Sequence, residues 1–155
     1  MARFSLQLTQ LIRENLAILM TFAYSRAPLE ALLESRFQGE WKHLHSALLD
    51  LPKSRATRAI LELALLLRLL DDEEGVSEYF ASTSRISFGR LVKADGSEAS
   101  LTLRDVCNKI IHASGLEWQL ATGPVLICNS QEPQRWAKAE IDLDRLAAFC
   151  GQLLA

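Results

Sequence analysis

The sequence predicts a mainly α fold, a helical bundle carrying a small antiparallel β hairpin or meander in its C-terminal half. Three observations lead there. Apolar residues recur at spacings of three and four over most of the first seventy positions. Ala59 to Leu70 is apolar nearly all round, and the C-terminal half holds short alternating segments between turn residues. At 155 residues the chain reads as a single domain, residues 1–155, with a core large enough to fold without staples.

The elements follow in order. Leu6, Leu8, Leu11, Ile12, Leu16, Leu19, Met20 and Ala23 form one stripe, which predicts a long first helix ending before Pro28. A second helix is expected from Pro28 through Leu29, Leu32, Leu33, Phe37, Trp41, Leu44 and Leu48, with Gly39 as a break point. Ser54 is placed to cap a third helix, and the run "AILELALLLRLL" belongs at the centre of the bundle. The acidic cluster Asp71 to Glu74 falls at that helix's unfavourable end, where Arg68 is at helical spacing to offset Asp71 or Asp72.

Past Gly75 the pattern changes. "ISFGRLVKADGSEASLTL" alternates around Asp95-Gly96, the mark of a strand pair or a loop. Helix returns at Thr102, whose hydroxyl caps it, and is expected to run to Ser114-Gly115. "LEWQLA", "PVLICNS" and "RWAKAEIDL" read as short strands, and a terminal helix starts near Asp142 or Asp144.

Composition narrows the function classes. Hydrophobic residues make up 49% and charged residues 23%, with a net charge of −2, so no strongly basic footprint selects bulk nucleic acid. Cys107, Cys128 and Cys150 form no metal-ligand pattern and read as reduced, buried thiols, with no cofactor expected. No signal peptide is visible, and the run from Ala59 to Leu70 is too short to span a bilayer and contains Glu62 and Arg68. A cytoplasmic protein without a membrane partner is the expectation.

The segment Leu103–Ala113, "LRDVCNKIIHA", carries the densest chemistry. Arg104, Asn108 and His112 stand at consecutive four-residue steps and share one strip, while Asp105 and Lys109 share the next. Imidazole moves protons near neutral pH, guanidinium holds phosphate, and an amide orients either. The plain alternative is a solvated helix face. His43 and His45 point apart on a helix and read as surface groups. Trp41, Trp118 and Trp136 read as packing anchors, and Lys53, Arg55 and Arg58 as solvated surface.

"CNKIIHA" resembles the signature helix of the HEPN superfamily, whose pattern is Arg, then often Asn or another polar residue, then His a few positions on. Asn108 and His112 match the polar and histidine positions. Cys107 occupies the arginine position, and Arg104, one turn earlier, is the nearest substitute. The resemblance covers little beyond this helix. It implies metal-independent RNA cleavage across a homodimer, or a non-catalytic role, in defence or toxin–antitoxin systems. His112 would then move the proton of a ribose 2′-hydroxyl, Arg104 steady the phosphorane and Asn108 position either.

The expected partners are RNA or a nucleotide, a second copy in a homodimer, and a protein partner in the non-catalytic case. A nucleotide or other small-molecule binder with the β element as its lid is the third option. Geometry discriminates among them. A nuclease exposes His112 and Arg104 in a concave basic cleft, whereas an interaction module pairs or buries them and shows an apolar patch elsewhere.

Overall fold

The computed structural model describes residues 6–37, 39, 42–76, 78 and 87–155. Its elements in chain order are α1 (Leu6–Ser35), α2 (Lys42–His45), a π-helical turn (Ser46–Asp50), α3 (Leu51–Glu74), β1 (Gly89–Lys93) and β2 (Glu98–Ser100). Then come α4 (Leu103–Ile111), β3 (Ala113–Gln119), β4 (Val125–Ser130), β5 (Trp136–Asp142) and α5 (Leu143–Leu153).

The β component is much larger than a hairpin, and the expected mainly α bundle is corrected to a mixed α and β fold. All five strands join one antiparallel sheet in the order β2-β1-β5-β4-β3. Asp95-Gly96 turns the local hairpin β1-β2, and β3-β4 is a second local hairpin. What unites them is the pairing of β1 with β5, through Arg90 with Glu140 and Leu91 with Ala139. That pairing links segments far apart in the chain, so no local pattern announces it.

Alternation sets the two faces of the sheet. Leu116, Cys128, Ala139, Leu91 and Ala99 form one cross-strand row on the covered face, and Leu126 and Ile141 pair in the next. The opposite face carries Glu117, Glu140, Arg90 and Glu98, with Arg90 bonded to both Glu140 and Glu98. On the covered side α4 lies between the sheet and α3, and α3 packs along α1. A single buried cluster runs from Ile12 and Leu19 through Ile60, Leu63 and Leu67 to Leu126, Ile141 and Phe149.

The helix boundaries of the N-terminal half differ from expectation in three places. α1 runs through Pro28 instead of stopping before it. Proline deprives the Tyr24 carbonyl of its amide partner, but Tyr24 is 59% exposed and water reaches that turn. The segment Leu29–Ser35 therefore belongs to α1, and the predicted second helix survives only as α2 and the π-helical turn; Trp41 lies outside the described residues. Ser54 is no cap, because α3 starts at Leu51 with Pro52 preset in its first turn.

The far end of α3 is closed by Gly75 in the left-handed region (φ 61°), whose N–H donates to the Asp71 carbonyl. Length and composition alone would also let α1 cross a bilayer, a test that core helices of soluble proteins pass as well.

Candidate functional site

The nine-residue α4 is fixed at its start by a capping box. Asp105 N–H donates to Thr102 Oγ1 at 3.2 Å, and Thr102 N–H donates to Asp105 Oδ2 at 3.1 Å. Leu103, Val106, Cys107 and Ile110 are buried, which turns the opposite face outward. The helix ends at Ile111, not at Ser114-Gly115, because the chain enters β3 at Ala113 and pairs with Ser130.

Asn108, Lys109 and His112 line a cleft of 570 Å³ between α4, the end of β1 and the turn before β5. Its other walls include Arg68 from α3, Lys93 and Leu91 from β1, and Glu132, Arg135 and Trp136. Four fixed cations against one carboxylate give the walls a formal charge of +3 with His112 neutral, on a chain whose net charge is −2. Glu132 is paired with Arg135 at 3.0 Å.

Arg68 Nη1 donates to Asn108 Oδ1 at 2.6 Å, which fixes the amide orientation and leaves its NH₂ as a donor. Lys109 Nζ sits 4.4 Å from the centroid of the Trp136 ring. Trp136 is buried, so it is a wall and a cation partner more than a stacking platform. His112, at the C-cap of α4, is exposed.

Arg104 stands apart from this set. Its Nη1 bonds Asp71 Oδ2 at 3.2 Å and also Asp72 Oδ1, so it serves the acidic end of α3. Helical spacing assigned that task to Arg68, and the structure exchanges the two arginines. The strip of Arg104, Asn108 and His112 is thus only partly brought together: the cleft keeps Asn108 and His112, and the guanidinium bonded to Asn108 is that of Arg68 on α3.

One signal for Arg68 was present. It is the lone cation in the run from Ala59 to Leu70, and a cation there needs a specific partner. Lys93 and Arg135 carried no local signal.

The three thiols are free and buried. Burial pushes Cys107, Cys128 and Cys150 up to about 12, with the nearby Asp71 carboxylate adding to the effect at Cys107. At neutral pH none is a thiolate nucleophile. His43 and His45 are exposed, with His45 Nδ1 3.6 Å from Asp50 Oδ2. Among the described residues no group of three or more His, Cys, Asp or Glu could hold a metal ion. Comparison with protein-family models, curated proteins and solved structures finds no match to this chain.

Proposed function

We propose that the α4 cleft binds the phosphodiester backbone of RNA, with His112 as the proton-transfer group of a HEPN-like, metal-independent cleavage. The observation that carries this reading is the convergence of Arg68, Lys93, Lys109 and Arg135 on the same cavity as Asn108 and His112. A basic concavity on an acidic chain concentrates an anionic ligand there. In the chemistry, His112 takes the 2′-hydroxyl proton as that oxygen attacks the adjacent phosphorus. The bond to the 5′-oxygen breaks, water returns a proton to that oxygen, and a 2′,3′-cyclic phosphate remains. Arg68 takes over the phosphate-stabilising part that Arg104, tied to Asp71 and Asp72, is not free to play. The HEPN resemblance extends this reading to a defence or toxin–antitoxin component.

Two observations favour a second reading, a non-catalytic interaction module. Arg104 is paired outside the cleft, and leucines are exposed along α3. A single experiment separates the two. Fluorescently labelled single-stranded RNA is titrated with wild type, Arg68→Ala and His112→Ala in EDTA, following polarisation and strand length. The nuclease reading expects binding that weakens with salt, is reduced in Arg68→Ala, and leads to cleavage lost in His112→Ala. Binding without cleavage favours the non-catalytic module, and no binding at low salt ends the RNA reading.

A further inference from the structure

The outward face of α3 bears leucines that its position in the core does not explain. Leu61, Leu65 and Leu69 are 37%, 55% and 49% exposed, although the helix buries Ala56, Ile60, Leu63, Leu67 and Leu70 on its other side. At four-residue steps they form one stripe, continued toward the N-terminus by Leu51 at 58% exposed. The expectation of a helix buried all round is corrected by this face.

Charge along the same face is polarised about Leu65. Arg55 and Arg58 lie toward the N-terminus, and Asp72 and Glu73 toward the C-terminus, all four exposed; Arg58 is paired with Glu62 and Asp72 with Arg104, which leaves Arg55 and Glu73 to act across an interface. The pattern is symmetric in position and opposite in sign. Leu61 and Leu69 are equidistant from Leu65, as are Arg58 and Asp72, while Arg55 and Glu73 lie on the same flank of the stripe.

We propose that this face is a self-complementary surface whose partner is a second copy of the chain, bound through α3 antiparallel to α3 about a two-fold axis at Leu65. In that arrangement Leu65 meets Leu65 of the second copy, and Leu61 meets Leu69. The basic end of each helix faces the acidic end of the other, with Arg55 of each copy set toward Glu73 of the second. A two-fold interface requires one patch to match itself in this way. A parallel pairing would set like charges together, and an unrelated partner would not need the mirrored order. The pairing is independent of any ligand in the α4 cleft.

Sedimentation equilibrium of the full chain tests it. Wild type is expected at twice 17.3 kDa and Leu65→Glu at 17.3 kDa, with unchanged circular dichroism because the side chain is already half in water. Glu73→Arg alone is expected to weaken the dimer, and adding Arg55→Glu to restore it. A monomeric wild type, or a dimer indifferent to Leu65→Glu, overturns the proposal. Failure of the charge exchange to restore the dimer overturns the antiparallel arrangement and with it the proposal. Monomer that co-sediments with phosphatidylglycerol vesicles through the same leucines makes the occupant a lipid surface instead.

Discussion

Arg104 on α4 holds Asp71 on α3, guanidinium to carboxylate at 3.2 Å, with the Asp71 side chain only 6% exposed. A carboxylate that far from water depends on its cation partner. Arg104→Ala is therefore expected to lower the thermal midpoint by several degrees while leaving ligand affinity at the cleft nearly unchanged. Differential scanning calorimetry beside an RNA-binding titration checks both halves. A variant of full stability with lost binding would return Arg104 to the cleft.

Arg68→Ala should behave in the opposite way. It removes the bond that orients the Asn108 amide and one of the four cleft cations. Loss of one charge-assisted contact is worth about 1.5 kcal/mol, roughly tenfold in affinity. The salt dependence of binding should also become shallower. Equal affinities for variant and wild type at two salt concentrations would count against the cleft as the binding site.

How far the sequence exposed this depended on range. Thr102 acts on an amide three residues on, so its cap, and with it the start of α4, was legible, while Asp105, which closes the capping box, was placed only on the strip with Lys109. Asp142 was legible for the same reason, and its side chain caps α5 through the Arg145 N–H. The union of β1 with β5 was not, because nothing in "FGRLVK" specifies "WAKAEID" as its neighbour. The candidate strip failed at Arg104 for a related cause. Helical spacing tells which residues share a face of α4, yet the partner of that face is chosen by α3, which supplies both Asp71 and Arg68.

Gly89 is a backbone position with no room for a side chain. Its φ is 142°, and an added Cβ would lie 1.9 Å from the Glu140 carbonyl oxygen on the neighbouring strand. Both the conformation and the contact penalise any other residue, so Gly89→Ala is expected to cost about 3 kcal/mol. Urea denaturation measures this directly, and a loss below about 1 kcal/mol would show that β1 and β5 separate easily at this point.

The buried thiols give the protein an alkaline limit. In the unfolded chain they ionise in the ordinary thiol range, whereas folded they hold their protons up to about 12. Between those values the unfolded state has released protons that the folded state keeps, so stability falls as pH rises through the window and is intact below it. The urea midpoint should drop as pH rises above about 8.5, less steeply in Cys128→Ala. Native protein should also resist an aromatic disulfide reagent at neutral pH. Reaction at the rate of a free thiol would contradict the burial.

The pairing of Lys93 with Trp136 across β1 and β5 also bears on timing during synthesis. Both residues wall the cleft, and between them the chain makes β2, α4, β3 and β4. A nascent chain that has delivered α3, β1 and α4 carries Arg68, Lys93, Asn108 and His112 but still lacks the strand that closes the cavity. The proposed cleft is thus completed late and in one step, with the C-terminal strand, so a truncated translation product would carry the motif helix without the cavity it lines.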